Sequence, residues 1–138
     1  MRWVFEELDV RYVECDPMGV AHHSHYFVWF EVGRIAWSKA SGLDALLKKR
    51  ELSILFPVVN CEGSFCASAK FGDRIIIGTA LKPVKAARFE FIYRIKRVRA
   101  RRLLAEGSSS HVLLTENQEV LWHIPIDIKY TIDCFLQG

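Results

Sequence analysis

The strongest constraint on the fold is an apolar segment, residues 24–41, that leaves almost no polar face. Its apolar side chains occur on nearly every side of a helix drawn through the segment: Tyr26, Phe27, Val28, Trp29, Phe30, Val32, Ile35, Ala36 and Trp37. Ser24 is a suitable N-cap, and Gly42 provides a stop signal, so the segment predicts a single helix. A helix that is apolar nearly all round is usually surrounded by other structure. We therefore expect the rest of the chain to wrap around it.

The remainder of the chain predicts strands. Residues 88–96 alternate, with Phe89, Phe91, Tyr93 and Ile95 on one face and mostly charged residues on the other, which is typical of a half-buried strand. Further strands are expected at residues 4–14, 54–68, 74–81, 103–114 and 120–124, and a short helical segment at residues 43–50. Short turns join antiparallel neighbours, so the simplest packing is an α+β domain with one antiparallel sheet curled around the helix. A dimer could cover an exposed face or edge of that sheet.

Length and composition narrow the class of protein. The chain of 138 residues suggests one domain, residues 1–138, that buries roughly 68% of its unfolded surface without help from a disulfide or a metal. A net charge of +3 does not by itself indicate nucleic acid. Glu31 and Arg34 interrupt the most hydrophobic stretch, and two acids interrupt the N-terminus, so we expect neither a membrane span nor a signal peptide. The four cysteines form no C-x-x-C pair, which predicts reduced, mostly buried thiols in a cytoplasmic protein.

One loop carries the most distinctive chemistry. Asp16 lies between the first predicted strand and the apolar helix, and Gly19 allows the loop to turn tightly and another molecule to approach the backbone. The helix begins with unsatisfied N–H groups and a partial positive charge. A carboxylate beside a helix N-terminus can attack a carbonyl while the helix stabilises the oxyanion. Asp-Pro-Met-Gly is also the composition of an ordinary turn, so the neighbouring residues have to decide between the two interpretations.

The neighbouring residues extend this loop into a longer motif. It reads Tyr12-x-Glu14-Cys15-Asp16-Pro17-Met18-Gly19-Val20, followed by His22-His23-x-x-Tyr26-x-x-Trp29-Phe30-Glu31-x-x-Arg34. This motif resembles the hot-dog-fold acyl-CoA thioesterases of the 4-hydroxybenzoyl-CoA thioesterase type, and the likeness continues from about residue 10 to residue 126. The resemblance implies a five-stranded antiparallel sheet wrapped around a long central helix. It also implies homodimers, often dimer-of-dimers tetramers, with active sites at the subunit interface.

The resemblance assigns roles within the loop. Asp16 falls on the family's catalytic aspartate, Gly19 on the glycine of the catalytic loop, and His23 on the residue whose backbone N–H polarises the thioester carbonyl. His25 stands where family members commonly carry Asn, so any contact of that side chain with the loop or the substrate must differ here. The implied partner is an acyl-CoA substrate, and no metal or organic cofactor is expected.

A second implied site would bind the phosphates of coenzyme A. Lys85 and Arg88 lie just before the strand that begins near Phe89, where family members carry a basic cluster close to the nucleotide. Ala86 and Ala87 thin that cluster in this chain. We therefore expect Lys85 and Arg88 to bind the substrate, with some of the affinity supplied elsewhere.

Other residues have competing interpretations. Asp16 could attack the thioester directly or activate a water, and the sequence does not choose. Glu31 is a rival carboxylate, but its spacing from Arg34 favours an intrahelical or interface ion pair. Although histidine is a common zinc ligand, the adjacent His22 and His23 cannot easily converge on one ion, so no metal site is predicted.

The remaining polar clusters are expected to be structural. A dense basic segment could contact nucleic acid or the phosphates of coenzyme A, but the favoured interpretation is a solvated turn whose charges blunt sheet edges. Its members are Arg94, Lys96, Arg97, Arg99, Arg101 and Arg102. No nucleic-acid partner is expected. His111 and His123 lie in predicted strands and are expected in the core or an interface.

These observations predict an acyl-CoA thioesterase that releases a free acid and coenzyme A. Asp16-Pro17 and the strand at residues 60–73 look closest to the aromatic-acyl members of that family. The resemblance therefore implies an aromatic acyl-CoA such as 4-hydroxybenzoyl-CoA, ahead of a short or medium aliphatic acyl-CoA and of an acyl group on carrier protein. The alternative is a non-catalytic module that binds coenzyme A esters or nucleic acid.

Overall fold

The computed structural model describes residues 1–138. Seven strands and three helices are joined by short connections, and two 3₁₀ turns lie at Tyr12–Glu14 and Arg99–Arg101. The strands are β1 (Val4–Asp9), β2 (Ile54–Leu55), β3 (Val58–Phe65), β4 (Arg74–Leu81), β5 (Arg88–Arg97), β6 (Leu103–Thr115) and β7 (Val120–Leu121). The helices are α1 (Ser24–Ser41), α2 (Leu43–Lys49) and α3 (Ile126–Gln137).

All strand pairs are antiparallel, as the short turns predict. The long strands lie in the order β1-β4-β5-β6, and β3 pairs with β6 on its other side. The two-residue strands β2 and β7 pair only with the end of β6. Five long strands therefore form the sheet, with β1 and β3 at its edges and β5 in its interior.

Helix α1 lies directly on one face of this sheet. At Gly33 the helix approaches β4 so closely that a Cβ atom would meet Ile77 Cγ2 at 2.7 Å and would overlap the Thr79 hydroxyl. Trp29, Phe30 and Trp37 are at most 1% exposed and fill the space between helix and sheet. The α+β architecture and the central helix predicted from the sequence are confirmed.

The strand periodicity is also confirmed. The side chains predicted on one face of β5 form part of the core: Phe89, Phe91, Tyr93 and Ile95 are at most 4% exposed. Helix α1 ends as predicted at Gly42, which adopts a left-handed conformation with φ of 86°. Its N-cap is His23 rather than Ser24, and no side chain caps it.

Several expectations were wrong. Helix α1 is not covered all round, because Val28 and Ile35 are 47% and 48% exposed and Glu31 lies exposed between them. Strand β1 ends at Asp9 because the chain then turns through the 3₁₀ segment. His123 is exposed and lies outside the strands, whereas His111 is buried.

The cysteines and the C-terminal segment also differ from the expectation. The four cysteines are free as predicted, but they are not mostly buried: Cys61, Cys66 and Cys134 are exposed. Helix α3 was not predicted. It buries Ile128 and Ile132, spaced by one turn, and packs Phe135 edge-on against Trp37 at 5.4 Å between ring centres. No helix in the protein is long and apolar enough to cross a membrane.

Candidate active site

The loop between β1 and α1 holds the Asp16 carboxylate through one of its two oxygens. Asp16 Oδ1 accepts the backbone N–H of Met18 at 2.8 Å and that of Val20 at 3.4 Å. The Gly19 N–H donates to the Asp16 carbonyl at 2.9 Å, and Gly19 has a φ of 79°, which favours glycine. Asp16 Oδ2 accepts no hydrogen bond within the chain, so this half-buried carboxylate presents one uncommitted oxygen.

Glu14 fastens this loop to helix α1. Its carboxylate accepts the Trp29 Nε1–H at 2.8 Å on one oxygen and the Arg11 backbone N–H at 2.8 Å on the other. Burial raises the pKa of Glu14, but these hydrogen bonds and the Arg11 guanidinium, whose Nε lies 3.4 Å from the carboxylate, outweigh burial and hold the pKa below its ordinary value. The Glu14 carbonyl also accepts the His22 N–H at 3.0 Å. Sequence reasoning missed this anchor, although Glu14 and Trp29 both belong to the motif.

At the start of α1 the backbone N–H of His23 is free, whereas the next three N–H groups are used. Ser24 donates to His22 Nδ1, His25 to the His22 carbonyl and Tyr26 to the His23 carbonyl. The His23 N–H has no acceptor in the chain, and it lies at the positive end of the helix. Because the Glu14 carbonyl binds the residue before His23, the loop carrying Asp16 and this free donor are tied together.

An aromatic wall adjoins the start of α1. Phe65, at the end of edge strand β3, is 47% exposed. Its ring centre lies 5.1 Å from that of Tyr26, 6.0 Å from Phe27 and 6.2 Å from His23. Sequence reasoning did not single out Phe65 because its proximity to the helix arises only when β3 pairs with β6.

The structure does not bring Lys85 and Arg88 near Asp16 within one chain. Asp9, at the end of β1 that leads to the Asp16 loop, pairs with Arg74 at the start of β4. Lys85 lies in the turn beyond the other end of β4 and forms an isolated antiparallel backbone bridge with Arg88, the first residue of β5. The eight residues of β4 separate these ends by about 25 Å, at roughly 3.3 Å per residue.

The other candidate residues have defined surroundings. His25 is half-buried, and its side chain makes no hydrogen bond, so it does not tether the loop within one chain. Glu31 and Arg34 do not form an intrahelical ion pair. Arg34 instead donates to the Tyr93 hydroxyl at 3.1 Å.

That Arg34 contact begins a buried polar chain under the helix. Tyr93 hydrogen-bonds Ser109, Ser109 meets His111 Nε2 at 2.8 Å, and His111 Nδ1 faces the Phe56 carbonyl at 3.2 Å. Burial raises the pKa of Tyr93 and lowers that of His111, so both are neutral near pH 7. The Arg34 charge lies at the outer end of this chain and has no carboxylate partner. No group of three or more histidine, cysteine or acidic side chains is placed to hold a metal ion.

A long helix wrapped by an antiparallel sheet, with a carboxylate loop at the helix start, defines the hot-dog class of α+β proteins. The profile of the Thioesterase-like superfamily matches residues 10–131. The chain is 32% identical over 108 residues to YneP of Bacillus subtilis (strain 168), which is named as a candidate acyl-CoA thioesterase; the match covers 78% of this chain and 76% of that one. The protein therefore belongs to the thioesterase-like superfamily.

Two solved structures share the fold over almost the whole chain. Slr0204, a 1,4-dihydroxy-2-naphthoyl-CoA thioesterase from Synechocystis, superposes with a TM-score of 0.85 at 21% identity and covers 99% of each chain. An Asp-to-Asn variant of 4-hydroxybenzoyl-CoA thioesterase in complex with 4-hydroxybenzoyl-CoA gives a TM-score of 0.82 at 19% identity, covering 96% of this chain and 99% of that one. The hot-dog fold is thus confirmed, and 4-hydroxybenzoyl-CoA thioesterase is one of several structural relatives.

Proposed function

We propose that the protein hydrolyses acyl-CoA thioesters to a free acid and coenzyme A. The proposal rests on one observation: the loop that carries the uncommitted Asp16 oxygen is tied through Glu14 to the start of α1, where the His23 N–H is free. One group can attack a thioester carbonyl, or activate a water that does so, while the other donates to the developing oxyanion. Membership of the thioesterase-like superfamily supports this class of reaction.

Two reaction routes for thioester hydrolysis are possible with these groups. In the first, Asp16 attacks the carbonyl carbon, the C–S bond breaks to release coenzyme A thiolate, and water then hydrolyses the resulting anhydride. In the second, Asp16 accepts a proton from a water that attacks directly, and the thiolate leaves from the tetrahedral intermediate and takes up a proton. The His23 N–H stabilises the oxyanion in both routes, and Gly19 keeps the loop open to the substrate.

The favoured acyl group is aromatic. Phe65 is 47% exposed and Phe27 is half-buried beside His23, and this aromatic surface suits a flat ring. The names of the structural relatives, a 1,4-dihydroxy-2-naphthoyl-CoA thioesterase and a 4-hydroxybenzoyl-CoA thioesterase, agree with an aryl acyl group. We infer a substrate such as 4-hydroxybenzoyl-CoA, with aliphatic acyl-CoA as the alternative.

The complete site is proposed to need two chains. Lys85 and Arg88 can contribute to the site of Asp16 only from a second subunit, since about 25 Å of β4 separates them within one chain. Edge strand β3 is unpaired on its outer side, and Val58, Val59 and Phe65 on it are about half exposed. We infer a homodimer through this edge, which could assemble further into a dimer of dimers. Free, exposed thiols suit the reducing cytoplasm.

The test is a thiol-release assay with 4-hydroxybenzoyl-CoA, benzoyl-CoA and hexanoyl-CoA. We expect the aromatic substrates to have the higher kcat/KM and Asp16→Asn to lose nearly all turnover while remaining folded. Asp44→Asn, the same chemical change on α2 away from the loop, should retain wild-type activity. If Asp16→Asn kept more than about a tenth of turnover, the role given to Asp16 would be wrong. Absence of turnover on every thioester would refute the proposed function.

A further inference from the structure

The outer face of the sheet, opposite α1, carries a groove that is lined by none of the residues assigned above to thioester hydrolysis. A cavity of about 470 Å³ and an adjoining one of about 180 Å³ share Phe5, Ile76 and Lys96 as walls. We propose that this groove binds a nucleoside diphosphate, with the base stacked on Phe5 and Trp3 and the phosphates held by Lys96 and Arg101.

The floor of the groove is aromatic and is shaped by a glycine. A Cβ atom at Gly78 would lie 3.1 Å from the Phe5 ring and 3.3 Å from the Trp3 ring, so both rings rest across a position where no side chain intervenes. Phe5 is 60% exposed. The Arg94 guanidinium lies 5.0 Å from the centre of the Trp3 ring. Any nucleobase can stack on such a surface, because every base has a π-face.

The walls of the groove carry uncompensated positive charge. No carboxylate lies within 4.0 Å of Lys96 or Arg101, whereas Arg97 is already paired with Asp73 at 3.2 Å. Glu7 is the one carboxylate that lines the groove, and Arg74 pairs with it at 3.4 Å. Two free cations beside an aromatic floor match the adjacent phosphates and the base of a nucleotide.

The sheet topology removes the simpler explanation for these charges. Basic residues often blunt an exposed strand edge, but β5, which carries Arg94 and Lys96, lies between β4 and β6. The turn after β5 also holds Ala100 and Arg101 at φ values of 66° and 51°, which are unfavourable for residues with a Cβ atom.

A second copy of the chain is a poor occupant of the groove, because a two-fold contact would place Lys96 and Arg101 against the same cations of the other copy.

The groove lies at the same end of the sheet as the Asp16 loop. Arg97, in its wall, donates to the Ser68 carbonyl at 3.0 Å. The carbonyl of the next residue, Ala69, accepts the N–H of Ala21 from the Asp16 loop at 2.8 Å. The nucleotide could therefore be the diphosphate half of a bound acyl-CoA or a free nucleotide. Only the first source rests on the proposed function.

The test is calorimetric titration with ADP, adenosine, pyrophosphate and a single-stranded oligonucleotide. We expect ADP to bind, and Lys96→Ala with Arg101→Ala to weaken binding at least tenfold. Phe5→Ala should weaken it about tenfold, which corresponds to the loss of one stacked base. The matched control removes the same charge elsewhere: Lys39→Ala with Lys49→Ala, both exposed and unpaired on α1 and α2, should leave the affinity for ADP unchanged.

The opposing outcomes are equally specific. The proposal is overturned if the groove variants bind ADP like the wild type, if pyrophosphate binds as tightly as ADP, or if only the oligonucleotide binds.

The source of the nucleotide, substrate or free nucleotide, is distinguished by the KM values for benzoyl-CoA and for benzoyl-pantetheine, which lacks the nucleotide. A rise in KM for benzoyl-CoA alone in the groove variant assigns the site to the substrate's own nucleotide. An unchanged KM with lost ADP binding assigns it to a free nucleotide, and both results support the groove. Since titration requires no turnover, an inactive enzyme would refute the proposed function and leave the groove standing.

Discussion

Replacement of Glu14 by Gln tests whether the Asp16 loop is anchored by a buried charge. The Glu14 side chain is 2% exposed and accepts two charge-assisted hydrogen bonds, each 2.8 Å long. Gln keeps one acceptor oxygen but turns an amide N–H₂ toward the other donor, so one of the two bonds is lost. A hydrogen bond to a charged group contributes about 1.5–3 kcal/mol. We therefore expect Glu14→Gln to lower the free energy of unfolding by about 1.5–3 kcal/mol, and Glu14→Ala by about 3–5 kcal/mol.

The pH dependence provides the sharper part of this test. The pKa of Glu14 is lowered in the folded protein, so folding favours the ionised form. That stabilisation is complete above the unfolded pKa, about 4.3, and is lost as pH falls through the folded pKa. Glu14→Gln has no such group, so its deficit relative to the wild type should stay constant between about pH 6 and 8 and shrink below about pH 4.3.

The assay is equilibrium urea unfolding followed by tryptophan fluorescence, at neutral pH and at roughly pH 3.5. Glu6→Gln removes the same charge from an exposed side chain without an ion pair, and it should change stability by no more than about 0.5 kcal/mol. Equal stability of the two variants, or a Glu14→Gln deficit that does not shrink in acid, would falsify the anchoring role. If the anchor also positions Asp16, the kcat of Glu14→Gln should fall more than its KM rises.

Two further predictions concern packing and assembly. Gly33→Ala should destabilise the protein by about 1–3 kcal/mol in urea unfolding, because the new methyl group meets Ile77 and Thr79; a smaller change would mean that α1 can lift from β4 at little cost. In the proposed dimer, Glu31 and Arg34 lie near the middle of α1 without an ion pair in their own chain, so Glu31→Arg or Arg34→Glu alone should weaken dimerisation in analytical ultracentrifugation. The double exchange should restore it, and failure to do so would exclude reciprocal Glu31–Arg34 pairs across the two-fold axis.

The fold could be predicted from sequence where local pattern decides structure. The period-2 pattern of β5 and the helix stop at Gly42 each depend on a few adjacent residues. Helix α3 was not predicted because the last predicted strand ended before Pro125, although Ile128 and Ile132 are spaced by one helical turn. Strand β1 was predicted, but its early end was missed because Val10 and Val13 continue an apolar pattern, while the hydrogen bonds of Glu14 turn the backbone there.

The candidate site was predictable as a set of residue types but not as an arrangement. The motif and its family resemblance pointed to Asp16, Gly19 and His23 as candidates, and these residues lie close together in the sequence. Phe65, the Arg34–Tyr93 contact and the outer-face groove depend on strand pairing between distant residues. No local pattern encodes the fact that β5 lies inside the sheet, and for that reason the basic segment was assigned to edge protection.

The unsatisfied features of the surface support the position proposed above for a second subunit. Along α1, the side that bears Phe27 faces β3, since Phe27 contacts Phe65. Arg34 follows Phe27 by about two helical turns and so lies on the same side. The same side carries the unpaired edge of β3, the aromatic wall and the free His23 N–H. An unpaired, half-buried arginine is costly unless an anion reaches it, and an unpaired strand edge invites another strand. Both demands would be met by one two-fold contact through β3, and that contact would also bring Lys85 and Arg88 of a second subunit toward the end of the sheet where Asp16 lies.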